Sequence, residues 1–433
     1  MKVIQEAFDF NPEKMYPLSG IADRSEILFF DIETTGFSAK TAEIYLIGCV
    51  WYGRPEDGAG SDPSSSGGGW QLIQWFAETP DDESDVITAF FDFLSRFRVL
   101  IHFNGDMFDI PFITGRCAHL GIRPEFDAVE SFDIFRKIRP LRSFFGLDSL
   151  KQKSVERFLG IRRTDEYTGG QLIEVYREYV SHPTPARLHL LLLHNADDLR
   201  GMPEILPILF YPDLLTRAEF RFLGIDIPES AGNRPEAASP NDISSSEDHL
   251  DADFPDAAPA NEARTNADFP DVAPANEARA KYSSPSGNGF AELRFQSSVA
   301  VPCPVEWEET GFFTRFERNE ITVRLPLYSG ELKHFYPDYR NYYYLPAEDC
   351  AYHKSVAEFV EKSARKKATA KTCYTRTSGV FLPVPSGIFP VTFREDYKST
   401  PEFCEAKEDL FRKTDLSGFL PCLFSGIRAK LLN

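Results

Sequence analysis

The 433-residue chain has no apolar run approaching 18 residues, so its sequence predicts no membrane-spanning helix. Its densest apolar run, Leu188–Leu193, is short and contains His189. The first residues, Met1-Lys2-Val3-Ile4-Gln5-Glu6, lack the apolar core of a secretion signal. No C-x-x-C pair occurs among the seven scattered cysteines, which disfavours a disulfide scaffold or a zinc site. Cys350 and His353 lie three apart but have no matching second pair. These features together lead us to expect a cytoplasmic protein with reduced thiols. Positive charge is also scarce, with 47 Lys and Arg against 66 Asp and Glu and a net charge of −19. Such a chain does not attract nucleic acid through its overall field. Any such binding needs a local basic patch, or metal ions that invert the sign of an acidic site.

What is present is enough to fold. Apolar residues make up 42% of the chain and aromatics 14%, which excludes global disorder, and the length suggests two or three domains. We read residues 1–24 as a lead-in, 25–215 as a first domain, 228–288 as a linker and 289–433 as a second domain. The linker is acidic and rich in Pro and Ala. Within it, ADFPDAAPANEAR (252–264) recurs as ADFPDVAPANEAR (267–279), a period of 15 residues. Two such units do not build a solenoid. They read as an extended, self-repelling spacer, or as a protein-docking motif anchored by Phe254 and Phe269.

In the first domain, Ile27–Ile32, Glu43–Trp51 and Trp70–Phe76 read as strands. Gly53–Gly69 reads as a mobile hairpin tip between the last two. Ser84–Phe97 has helical periodicity, Val99–Phe103 is strand-like, Met107–Leu120 helical and Val129–Ile134 strand-like. Leu150–Leu159, Gln171–Val180 and Pro185–Leu209 follow as helices. Strands joined by short turns, then alternating with helices, predict an α/β fold: a mixed sheet flanked by helices. In the second domain, Ala291–Val301 and Gly311–Leu325 read as strands and Cys350–Lys367 as a helix, a smaller α+β unit of unknown type. Lys362, Arg365, Lys366, Lys367 and Lys371 form a basic patch beside the aromatic run Tyr342–Tyr344. That combination suits single strands of nucleic acid, or simply a cation-rich helix end.

Three short motifs carry chemistry. Asp31 and Glu33 end an apolar strand, and side chains two apart on a strand share a face. Two like charges there are costly unless a cation compensates them, although a strand ending in a polar turn has the same pattern. His102-Phe103-Asn104-Gly105-Asp106-Met107-Phe108-Asp109 runs from a strand through a Gly-containing loop to a helix. Asp109 there is either a functional carboxylate or only a helix cap. We expect Asp106 to be solvated. His194 and Asp198 are four apart on a predicted helix and share a face, with Asp197 turned to the surface.

Taken in order, Asp31-x-Glu33, Asn104-Gly-x-x-Phe108-Asp109-x-Pro-Phe and Asn195-x-x-Asp198 resemble the four-carboxylate (DEDD) exonuclease superfamily. They look most like the proofreading domain of B-family DNA polymerases and the bacterial YprB-type exonucleases, over about residues 25–215. The resemblance implies a ribonuclease-H-like fold and 3′→5′ hydrolysis of single-stranded or frayed nucleic acid, DNA or RNA. It implies that Asp31, Glu33, Asp109 and Asp198 ligate two divalent cations, Mg2+ or Mn2+, with Asp31 shared between them. Asn104 and Phe108 fall where the family contacts the terminal nucleotide. His194 stands where the polymerase branch has Tyr, four residues before the last Asp, and would accept a proton from the attacking water or orient it. Two other readings remain open: a non-catalytic nucleic-acid- or protein-binding module, and a structure-specific endonuclease.

Overall fold

A computed structural model describes residues 1–10, 16–53, 69–162, 167, 169–228, 289–309 and 311–432. Residues 54–68 of the expected hairpin tip, and 229–288 of the expected linker with Phe254 and Phe269, lie outside the described residues. Six strands form the first sheet: β1 (Lys2–Phe8), β2 (Ile27–Thr34), β3 (Ile44–Gly53), β4 (Gly69–Phe76), β5 (Val99–His102) and β6 (Glu130–Asp133). Their order is β1-β4-β3-β2-β5-β6. β1 to β4 pair antiparallel, whereas β5 and β6 join parallel to β2. This mixed sheet with flanking helices is the ribonuclease-H-like architecture expected from the sequence. The lead-in contributes an unanticipated edge strand, since Lys2–Phe8 pairs with Trp70–Phe76.

β2 is apolar at successive positions because both its faces are covered. Ile27 and Phe29 enter one core, while Leu28, Phe30 and Ile32 enter the other. The second core also holds Val86, Ile87 and Phe90 of α1 (Glu83–Leu94), Phe112 and Ile113 of α2 (Asp109–Leu120), and Leu172 and Tyr176 of α3 (Gly169–Ser181). α2 stops at Gly121, whose φ of 70° closes the helix in the left-handed region. The long helix α4 (Pro185–Ile205) crosses the sheet and carries the third motif. Its start is marked by Thr184, whose side chain accepts from the Arg187 N–H, and by Pro185 in the first turn.

The first core continues into the C-terminal part. Phe144 packs against Phe316 and Trp307, with ring centroids 5.1 and 6.0 Å apart. The strand Phe220–Asp226, which precedes the linker, pairs antiparallel with Phe290–Ser297, which follows it. Both belong to a five-stranded sheet with Val305–Glu309, Phe312–Glu317 and Glu320–Pro326. The single strand expected over 311–325 is thus a hairpin, turning at Arg318 (φ 53°).

The helix expected over 350–367 does not form. Cys350–His353 is a strand, Lys354–Ala357 a single helical turn, and Lys366–Lys367 a two-residue strand against Tyr343 and Tyr344. Cross-strand contacts outweigh helix propensity there: the Arg365 guanidinium lies 4.7 Å over the Tyr343 ring.

A buried ion pair locks α1 to α2. Arg116 donates to Glu83 through Nε (2.7 Å) and Nη2 (2.6 Å), and through Nη1 to the Ala39 carbonyl (3.0 Å). The Glu83 carboxylate also accepts the Ile44 N–H at 2.8 Å, which ties the start of β3 to the same pair. Arg116→Met leaves a buried carboxylate without its cation. We expect a loss of about 3–5 kcal/mol in urea unfolding. A loss under about 1 kcal/mol would show that Glu83 finds another partner.

Candidate active site

Three elements deliver the three motifs to one place. Asp31 and Glu33 lie at the C-terminal end of β2, where their strand neighbours on β3 are Gly48 and Leu46. Asp109 is the first residue of α2, reached through the 103–108 loop after β5. His194, Asn195 and Asp198 project from α4. His194 Nε2 stands 3.7 Å from Glu33 Oε1 and 3.6 Å from Asp198 Oδ2. The Tyr45 hydroxyl donates to Glu33 Oε2 at 3.4 Å. Asn195 Nδ2 donates to Asp31 Oδ2 at 2.9 Å, and Asn195 Oδ1 accepts from Gln74 Nε2 at 2.9 Å. A chain of amides from β4 through α4 therefore orients Asp31.

The carboxylates act on one another. Burial, then the charges of Asp198, Asp109 and Glu33, raise the Asp31 carboxyl well above the ordinary carboxylate range. Asp109 is pushed up to about 7, chiefly by burial, although the N–H groups of Ile32 and of Asp109 itself favour its ionised form. Neither Asp31 nor Asp109 has a Lys or Arg ion-pair partner among the described residues. Asp109 is not the cap of α2 either, since the capping position is Phe108 and no side chain caps the helix. A cluster of hard oxygen donors held close, at a cost in repulsion, suits divalent cations. Glu33, His194 and Asp198 bring their ligand atoms within 4.8 Å of one another.

Close approach of α4 to the sheet depends on Gly48. A Cβ at this position would lie 2.1 Å from Asn195 Oδ1 and 2.4 Å from Leu199 Cδ1. A glycine in the middle of the apolar strand IYLIGCVW was a legible sign of such an approach, and our reading of the sequence passed over it. It also missed Gln74, Tyr45 and the positioning role of Asn195. A further omission is Phe37, 89% exposed, whose ring centroid is 6.5 Å from that of Phe108.

The 103–108 loop is held by a second polar network. Asp133 accepts the N–H groups of Asn104 (2.9 Å), Asp106 (3.3 Å) and Arg136 (3.2 Å). Gly105 N–H donates to His102 Nδ1 at 3.0 Å, so the His102 proton belongs on Nε2, which faces Ser131 Oγ at 2.8 Å. Ser131 in turn donates to Asp106 Oδ1 at 2.5 Å. Burial lowers the His102 pKa, consistent with a neutral ring. His102, Asp106 and Asp133 also form a compact group of possible metal ligands, but their lone pairs are engaged by these bonds. The network fixes Asn104 in the left-handed region at φ 67°, which Asn tolerates better than most residues. Asp106 is therefore not the freely solvated residue we expected. Nor is the Asp197 side chain fully exposed: it is 10% accessible and 3.8 Å from Arg200 Nη1.

The fold and the carboxylate cluster define a ribonuclease-H-like domain, and residues 28–209 match the family model of the RNase_H superfamily. A solved structure with similarity is the family B DNA polymerase from the hyperthermophilic archaeon Pyrobaculum calidifontis. It is 19% identical over 43% of this chain, with a TM-score of 0.32. The chain spans about a quarter of that polymerase, since the match covers 25% of it. No curated protein matches the chain.

Three outcomes follow from the repulsion and from the close contact. A carboxyl whose folded pKa is raised destabilises the fold once it ionises. The metal-free protein should therefore lose stability as pH rises from the ordinary carboxylate range through about 7, where Asp109 titrates. Asp31→Asn removes one charge and keeps an acceptor for Asn195. It should raise the Tm in EDTA at alkaline pH by roughly 2–4 °C per kcal/mol of repulsion relieved. A lower Tm would mean that the charge stabilises the apo fold. Gly48→Ala should lower the Tm by forcing α4 away from β3, and an unchanged Tm would show that α4 yields without cost.

Proposed function

We propose that residues 28–209 form a metal-dependent 3′→5′ exonuclease acting on single-stranded or frayed nucleic acid. The observation that carries this reading is the convergence of Asp31, Glu33, Asp109 and Asp198 from three elements of a ribonuclease-H-like fold. At the coarser level, the fold and this cluster support a nuclease-type hydrolase. The four carboxylates would hold two divalent cations, Mg2+ or Mn2+. When bound, such cations supply Lewis-acid activation of a water and charge stabilisation at the leaving oxygen of a phosphodiester.

The chain's own residues prepare that reaction. Asn195, backed by Gln74, keeps Asp31 from turning away from Asp109 and Glu33. His194 Nε2, 3.7 Å from Glu33 and 3.6 Å from Asp198, would hold the attacking water and take its proton. Asn104, set by the Asp133 network, offers a side-chain amide to the terminal nucleotide. Phe108 and the exposed Phe37 offer ring faces for its base. The terminal base of a paired end is stacked and hydrogen-bonded, so these faces favour a frayed or single strand.

The test uses 3′- and 5′-labelled DNA and RNA oligonucleotides with Mg2+, Mn2+ or EDTA. We expect metal-dependent shortening from the 3′ end. Asp31→Ala combined with Glu33→Ala should reduce the rate by at least about a hundredfold. Unchanged cleavage in that variant would place the chemistry elsewhere. Cleavage of a circular single strand would point to an endonuclease.

A further inference from the structure

A cavity of about 580 Å³ opens at the 103–108 loop. Phe103, Asn104 and Phe135 form part of its lining, and Arg139, Arg142 and Lys151 supply positive charge. Two lining residues tie it to the site. Asn104 belongs to the loop held by Asp133, and Gln152 donates through Nε2 to the backbone carbonyl of Asp198 at 2.7 Å. The cavity therefore adjoins the place where a terminal nucleotide would sit.

Its charge is opposite to that of the chain. The protein is −19 overall, yet three cations gather here with one carboxylate, Asp148, in the lining. Several surface arginines elsewhere pair with acids, as in Arg177–Glu174, Arg187–Glu178 and Arg412–Glu408. Among the described residues, Arg139, Arg142 and Lys151 have no Asp or Glu ion-pair partner. Arg142 donates from Nη2 to the Asp148 carbonyl, which orients its guanidinium without neutralising it. Phe103 and Phe135, half-buried and 5.9 Å apart, add apolar ring surface to the same lining. Unneutralised cations beside aromatic rings suit a single strand: phosphates meet the cations, and unstacked bases meet the rings.

We propose that this groove binds the nucleotides behind the terminal one of a single-stranded nucleic acid, with Arg139, Arg142 and Lys151 on its phosphates. The assignment rests on the exonuclease reading for which end enters the site, but binding itself does not require cleavage. The groove explains how an acidic protein holds a polyanion: a local cationic track leads to carboxylates that bind the strand only through cations.

The experiment measures anisotropy of a 5′-fluorescein single strand of about 12 nucleotides with the full chain in EDTA, where hydrolysis does not interfere. Arg139→Gln with Arg142→Gln should weaken binding at least about tenfold at low salt. It should also flatten the slope of log K against log salt by about 1.4, roughly 0.7 for each phosphate that is no longer neutralised. Lys151→Gln alone should flatten it by about 0.7. An abasic strand of the same length should bind more weakly than the normal strand. Affinity and slope unchanged in variants with wild-type thermal unfolding would overturn the proposal. So would competition by poly-aspartate as effective as that by the oligonucleotide, which would mark a site for acidic polypeptides. Loss of binding in the groove variants, with no cleavage by the wild type in Mg2+, would retain the groove and refute only the exonuclease reading.

Discussion

The rest of the N-terminal half is arranged around a repulsion. Asp31, Glu33, Asp109 and Asp198 are brought together at the end of a strand buried on both faces, where burial and the neighbouring charges raise the cost of ionising Asp31 and Asp109. A fold free to relax would let them separate. Here it is not free: β2 is paired on both edges, α2 starts at Asp109, and α4 is pressed onto the sheet at Gly48. The stability of the two cores holds an arrangement that the site alone disfavours, which is the usual relation between a scaffold and a functional cluster.

Two polar networks turn that arrangement into a defined geometry. The amides of Gln74 and Asn195 orient Asp31 across three elements. The Asp133 and His102 network orients the loop that carries Asn104 and leads to Asp109. Each buried partner is satisfied, and that makes such networks specific rather than merely costly. The ribonuclease-H-like sheet thus supplies position, and side-chain amides and backbone N–H groups supply direction.

The C-terminal sheet is not an appendage on this scaffold. Phe144 and Tyr211 pack on each other in the first core, and Phe144 reaches Phe316 across the boundary. Strands on either side of the repeat segment, Phe220–Asp226 and Phe290–Ser297, pair with each other. A pairing of strands across a long insertion cannot be inferred from local patterns, because partners so far apart in the chain leave no mark in a short window.

By itself the sequence determined the elements whose signal is local. The continuous apolar run ILFFDI specified a doubly covered strand, and the ordered carboxylate motifs identified the residues that converge. It could not locate the Cys350–Lys367 strands, where a helix-compatible run is overruled by cross-strand tyrosines and Arg365. It also gave no partner for Lys2–Phe8, because an edge strand is defined by the strand it meets. Only the tertiary structure decided that Gly48 admits α4, that Asn195 faces Asp31, and that Arg139, Arg142 and Lys151 line one cavity. The physical reason is common to these cases: residue type and spacing encode local conformation and chemistry, whereas close approach and shared fields arise only once distant segments are packed.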